Sequence, residues 1–281
     1  MKMGVFLSVI LWAWVLTVGA KNIEPRFDGK KITNDVFWNT AEGMPLYSQG
    51  GGIFRYPDPD TGRLRYYWYG VRYAEAVRYR EDPSVTYPAC TFEAVTCYSS
   101  DDLINWYYEG DVLTREEVDC YGRAGWVGRM GVAYLEAWNQ YVLVVQHDNG
   151  VLFALSHTPN GRFTWHRRIT MEKIIGTPNT GDQTVFVDED TRKPYLIYSY
   201  GRGRNRIYVS EIGIRDGQVD LLDCTQVFKG AGREGNCLFK YEGRYYMCAS
   251  NLYGWDSSFA YYMVANDIRG PYEPVNDMKI M

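Results

Sequence analysis

The chain of 281 residues has only three histidines, His147, His157 and His166, and no metal-ligand spacing among them. Its six cysteines match no zinc-site spacing either, so no bound metal is expected. Charge of one sign is not in large excess: the formal net charge is −4, and no run of Lys or Arg supplies a patch that would track phosphates. A nucleic-acid partner is therefore not expected. Sustained helical periodicity of apolar residues is also missing, which argues against a helical fold. Aromatic residues, by contrast, are abundant, with 25 Tyr and 9 Trp. These fit strands, and they can stack on flat apolar faces such as sugar rings. Strand core and sheet surface account for most of them, leaving a ligand role for a few.

The N-terminus reads MKMGVFLSVILWAWVLTVGAKN: one basic residue, an apolar stretch from Val5 to Val18, and small residues at Val18-Gly19-Ala20. That is the pattern of a secretory signal peptide over residues 1–20. It implies a secreted or periplasmic protein with no membrane attachment after cleavage; an uncleaved anchor helix is the alternative. Residues 21–281 then form the folded domain, expected to be monomeric. Cysteines in an exported chain allow disulfides without requiring them. Cys237 and Cys248 would face each other across a hairpin turning at Glu242-Gly243, where two free buried thiols are the simpler expectation.

Strand signals recur in fours. GGIFRY, RLRYYWYGV, FEAVTCYSS and INWYYEGDVL form one unit. GVAYLEA, QYVLVVQH, GVLFALSH and FTWHRRI form the second, and QTVFVDED, KPYLIYSY, RIYVSEI and QVDLLD the third. NCLFKY, RYYMCAS, FAYYMVA and a short PYEP form the fourth. Four short strands repeated at roughly fifty residues indicate an all-β fold and a β-propeller, with a β-sandwich as the alternative. Four blades are visible, preceded by a leading segment from Asn34 to Gln49. The polar stretches 72–89 and 116–125 read as loops.

In a propeller the first strand of each blade lies nearest the axis, so residues at the start of those strands converge on one mouth. Here they are Gln49, Gly128-Arg129, Asp182-Gln183 and Arg233-Glu234. Glu234 stands in GREGNCLFKYEGRYYMCASNLYGW, and Asp182 opens the neighbouring blade. Two carboxyl groups brought close in a partly desolvated site titrate apart, leaving one protonated as an acid. That arrangement suits glycoside hydrolysis, with Glu234 and Asp182 as catalytic candidates and Gln49, Arg129, Gln183 and Arg233 around them as substrate-binding candidates. The competing reading is an Asp182–Arg233 ion pair between blades, with Glu234 capping backbone N–H groups.

The runs GGGIFRY, YYWYGV and FEAVTCYSSDDLINWYYEGDVL, followed by VGRMGVAYLEAWNQYVLVV, GDQTVFVDEDTRKPYLIYS and REGNCLFKYEGRYYMCASNLYGW, resemble glycoside hydrolase family 43. The likeness is strongest to its exo-β-1,3-galactanase branch and spans about residues 46–274. The resemblance implies a five-bladed propeller, an inverting hydrolase of the galactosidase, arabinofuranosidase or xylosidase class, Glu234 as the general acid and Asp182 as the residue that orients and tunes it. On that reading the domain continues beyond Met281 into a fifth blade. The chain departs from the branch at Gly128 and Val71, where sugar-contacting Glu residues are common, and it has Gln49 where the wider family has a base Asp. Those losses keep open a carbohydrate-binding propeller without catalysis.

Trp126 and Trp255 could stack on a sugar ring, and Tyr253 could reach its hydroxyls. The segment Gly201 to Arg206, GRGRNR, reads as a solvated hairpin turn, with a site for an anionic sugar as the alternative. No cofactor is expected. Structural calcium is known in the channel of some family members, but no acidic cluster in this sequence argues for it.

Overall fold

A computed structural model describes residues 31–122, 125–254 and 258–275. The sequence over 1–20 read as a signal peptide, and Trp255, lie outside those residues. Alternation of apolar and polar residues gives strands rather than helices, and the strands pair with their chain neighbours into four antiparallel sheets.

Blade one is β1 (Gln49–Pro57), β2 (Leu64–Tyr73), β3 (Phe92–Ser100) and β4 (Tyr107–Thr114). Blade two is β5 (Val127–Leu135), β6 (Gln140–His147), β7 (Gly150–Ser156) and β8 (Thr164–Ile169). Blade three is β9 (Thr180–Val187), β10 (Pro194–Tyr200), β11 (Arg206–Arg215), β12 (Gln218–Leu221) and β13 (Thr225–Lys229). Blade four is β14 (Glu234–Tyr241), β15 (Arg244–Ser250), β16 (Ala260–Ala265) and β17 (Glu273–Val275). The inner strands β1, β5, β9 and β14 pack side by side in that order.

This is the propeller arrangement expected from the repeat, with two corrections. The outer edge of blade three is two strands rather than one: β12 pairs with the far half of β11 and β13 with its near half. The stretches read as polar loops contain short helices, α1 (Ala76–Glu81) and α2 (Arg115–Cys120), and a third, α3 (Glu172–Ile175), precedes β9. Each is too short to show a hydrophobic period. α2 starts on the Thr114 hydroxyl, which accepts the Glu117 N–H. α1 has no side-chain cap of its own; Arg80 ties it to the leading segment by donating to the Trp38 carbonyl at 2.9 Å.

Three apolar cores lie between the blades. Tyr67, Tyr69, Leu143 and Leu152 are among the residues that join blades one and two. Val142, Phe153, Leu196 and Tyr198 join two and three. Ile197, Val209, Met247 and Met263 join three and four. Each such side chain, fully buried, adds roughly 1.5–3 kcal/mol of transfer free energy. The outer face of blade one is covered by the leading segment, with Trp38 edge-on to Trp68 and the Thr96 hydroxyl donating to the Tyr47 carbonyl at 2.7 Å. The corresponding face of blade four carries Phe239 and Tyr241, both exposed, and Phe239 stacks on Tyr246 at 5.0 Å.

The β14–β15 hairpin turns through Glu242-Gly243, both at positive φ, as a two-residue loop between twisted strands prefers. Cys237 and Cys248 are direct cross-strand partners, as the register implied. They are free thiols, but Cys237 is exposed and Cys248 half-buried, because they lie on the uncovered face of blade four rather than in a core. Among the described residues no helix is long and apolar enough to cross a membrane.

Candidate active site

Every inner strand begins with the same irregularity. Its register slips by one residue between Gln49 and Gly52, Val127 and Met130, Thr180 and Gln183, and Glu234 and Cys237. An extra residue in one strand kinks it and re-aims its side chains, a device common beside active sites. The sequence placed these residues just before the strands; the structure puts all but Arg233, which directly precedes β14, inside the strands, at and within the bulges.

A bulge leaves carbonyls that the sheet ladder cannot pair, and buried carbonyls need donors. In blade three the neighbouring blades supply them. The buried Gln146 amide of blade two donates to Thr180 O at 3.2 Å and also to Gly181 O. The buried Asn236 amide of blade four donates to Asp182 O at 3.0 Å and to Ser199 Oγ at 2.8 Å. Blades two, three and four are therefore stitched together directly beneath the mouth.

Above that layer lies a cleft of about 1050 Å³ whose wall includes Glu234, Asp182, Gln49, Arg129 and Trp126. Asp182 and Glu234 come from adjacent blades and are both mostly buried, with 13% and 15% of their side chains exposed. Asp182 Oδ2 accepts the Gly235 backbone N–H at 2.8 Å, directly after Glu234. That N–H is free because Gly235 sits in the bulge at φ 64°, in the left-handed region that glycine enters without strain. Arg129 stands 3.7 Å from the same Asp182 oxygen.

Gln183 and Arg233 do not line the cleft. Gln183 is buried, accepting from the Thr180 hydroxyl at 3.1 Å and donating to Arg129 O at 3.3 Å, so it braces blade three against blade two. Arg233 is 1% exposed and lies over the Tyr261 ring at 4.4 Å, with Nη1 donating to Asn251 Oδ1 at 3.3 Å. Arg233 directly precedes β14 and turns inward, where its neighbour Glu234 faces the cleft. The ion pair of Asp182 is accordingly with Arg129, not Arg233. Tyr253 is exposed, and it is its neighbour Gly254 that forms that edge of the cleft.

Trp126 is 47% exposed, and its ring lies over Gly128: a Cβ there would sit 2.2 Å from the indole. The space that a carboxylate side chain at 128 would need is thus filled by Trp126. Val71 is buried opposite Gln49 and offers the cleft nothing polar.

Of the remaining wall, Asp148 after the second strand of blade two and Arg204 in the GRGRNR turn are positions the sequence already offers, while the β2–β3 connection and α2 are not. The β2–β3 connection brings Tyr87 and Cys90, α2 brings Arg115 and Asp119, and the β6–β7 and β10–β11 turns bring Asp148 and Arg204. The signal was available: each second strand runs antiparallel to the first and so ends back at the mouth. Tyr73 Oη donates to Val127 O at 2.6 Å, and burial, with the nearby Cys90, pushes its phenol up to about 12, keeping it neutral. Burial and the charge of Glu75 push the Cys90 thiol up as well, so it is not a ready nucleophile. Asp148 Oδ1 accepts the Trp126 N–H at 2.7 Å. Arg204 forms an ion pair with Glu234. No group of three or more His, Cys, Asp or Glu residues among those described is arranged to hold a metal ion.

The sequence profile of glycosyl hydrolases family 43 matches residues 56–281. The chain belongs to glycoside hydrolase family 43. An exo-β-1,3-galactanase from Clostridium thermocellum is similar in structure, with TM-score 0.69 and 27% identity over 86% of this chain and 50% of that one. A second, from Phanerochaete chrysosporium and crystallised with β-1,3-galactotriose, has TM-score 0.67 and 23% identity over 85% of this chain and 51% of that one, a likeness of fold. A β-xylosidase of Formosa agariphila is 28% identical over 169 residues, 53% of this chain and 27% of the relative. The chain thus spans half the length of the Clostridium enzyme and about a quarter of the xylosidase.

Proposed function

We propose that this family 43 chain hydrolyses glycosidic bonds of plant-type polysaccharides or oligosaccharides with inversion, in the galactosidase, arabinofuranosidase or xylosidase class. Glu234 is the general acid that protonates the leaving oxygen, and Asp182 positions it. The observation that carries this reading is the Asp182–Gly235 hydrogen bond: it ties the two carboxylates from adjacent blades to one point of the cleft. An acid held in place beside the scissile bond contributes roughly 10²–10⁴ in rate. Trp126 offers an exposed aromatic face at the same mouth for a sugar ring. The galactan and xylose chemistry of the similar proteins supports the substrate class.

A product screen tests it. The chain is incubated with galactans, arabinans, xylans and pectic side chains, and released sugars are resolved by ion chromatography, with Glu234→Gln alongside. A sugar that appears with the native protein and falls by about 10²-fold or more in the variant is the expected result. Equal release by both would remove Glu234 from the acid role. Proton NMR of the first-formed anomer checks inversion.

The Arg204–Glu234 ion pair, with Gln49, Gly128 and Val71 in place of carboxylates, favours a second reading, a carbohydrate-binding propeller. Oligosaccharide binding without any product over days would select it.

A further inference from the structure

Arg204 is built into the cleft rather than waving over it. It occupies the β10–β11 turn at φ 50°, its N–H donates to Tyr200 O at 3.2 Å, and its carbonyl accepts the Arg233 N–H at 2.9 Å. The turn is thereby anchored to the residue just before Glu234. The stem of the side chain crosses Gly181, where a Cβ would stand 3.0 Å from its Cγ. The Arg204 side chain keeps 36% exposure, while its partner Glu234 keeps 15%.

This pairing conflicts with acid catalysis. The Glu234 carboxylate is engaged by a guanidinium, where a general acid must be presented to the leaving oxygen. Arg129 is already engaged with Asp182, and Arg115 with Asp119 at 3.4 Å, so neither competes for Glu234. A neutral sugar hydroxyl is a poor rival to a carboxylate for a guanidinium. A carboxylate on the substrate is an equal rival, because the planar fork of arginine matches it with two parallel hydrogen bonds.

We infer that Arg204 is a receptor for a substrate carboxylate, so that the site takes glycans bearing a uronic acid and the incoming carboxylate releases Glu234 from its ion pair. Glu234, no longer engaged by Arg204, is then free to face the leaving oxygen. This rests on the hydrolase reading for its mechanism, but the recognition step stands on the ion pair alone.

The test is therefore one of binding. Methyl β-glucuronide and methyl β-galactoside are titrated calorimetrically into the native chain, Glu234→Gln and Arg204→Gln at neutral pH, with galactose 6-sulfate as the non-planar anion. The native chain should favour the glucuronide over the galactoside by about 10-fold, the scale of one hydrogen bond to a charged group. In Glu234→Gln, where Arg204 has no rival, that ratio should rise by about another 10-fold; in Arg204→Gln it should fall to about one. Glu234→Gln leaves the turn untouched, so its result stands even if Arg204→Gln folds poorly. A ratio unchanged by Glu234→Gln, a preference that survives in Arg204→Gln, tighter binding of the sulfate than of the glucuronide, or no binding by any form would each overturn the inference. Uronide binding with no hydrolysis of any substrate would sink the hydrolase reading and leave this one standing. Hydrolysis of neutral galactan with no uronide preference would do the reverse.

Discussion

Asp182 acts on Glu234 through one backbone amide, and that makes its contribution separable. Asp182→Ala removes the acceptor of the Gly235 N–H and frees the bulge that aims Glu234. A displacement of about 1 Å in a reacting group can cost about 10²-fold, so kcat should fall by that order with KM nearly unchanged. Asp182→Asn keeps an oxygen for the amide and gives up only the charge facing Arg129, so it should retain more activity than Asp182→Ala. Steady-state kinetics of the two variants on one substrate checks the order. Glu234 and Asp182 were legible because position in a repeat places a strand's first residues at the axis. Gln183 and Arg233 were misplaced because each adjoins a carboxylate in sequence, and a bulge decides which neighbour faces the cleft. Arg204 is legible as part of a polar turn, with an anionic-sugar site as the alternative, but its pairing with Glu234 is not, since the partner is 30 residues away and the ion pair exists only once blades three and four are packed.

At the scale of elements, the run SSDDLINW owes its form to Asp102. Its carboxylate accepts the Asn105 N–H at 2.7 Å and the Ile104 N–H at 2.9 Å, closing the turn that leads β3 into β4. Leu103 adopts φ 64° at the corner, and Trp106 is driven into the sheet, edge-on to Trp68. The Asn105 backbone amide, with the Asn105 side chain, Ile104 and Ser100, draws the Asp102 carboxyl down to about 2. A carboxyl lowered on folding stabilises above its unfolded value near 4 and loses that contribution as pH falls toward 2. Asp102→Ala should cost about 1 kcal/mol near neutral pH, the scale of a lost side-chain cap, and the difference from the native chain should vanish as the pH of the melt is lowered through that window. Urea titrations at several pH values read it. This turn was legible as a motif. The helices α1 and α2 were not, because six residues cannot display a helical stripe and tertiary contacts hold α1 in place.

Taken whole, the molecule is held by three seams between four blades, and its stability should be distributed accordingly. Met247, fully buried between blades three and four, should cost about 2–5 kcal/mol when cut to Ala. Phe239 lies on the other face of the same hairpin, 45% exposed and stacked only on its cross-strand partner, so Phe239→Ala should cost about 1 kcal/mol. Denaturation midpoints of the pair check whether that face is as uncovered in solution as its exposure implies. The blade count was legible because each unit repeats one order of strands; the second outer strand of blade three was not, because β13 shares an edge that β12 already serves. The bulge repeated at the head of every inner strand has a consequence of inheritance. Positions 49, 127, 180 and 234 are equivalent addresses on one kinked backbone, as are 51, 129, 182 and 236. A protein that repeats its kink can change chemistry by point substitution at an address, with no insertion or deletion. A codon library confined to 49, 129, 182 and 234 would explore that chemical alphabet while leaving all three cores as they are; 51 and 236 stay fixed, because a Cβ on Gly51 would overlap the Tyr69 carbonyl and Asn236 stitches blades three and four.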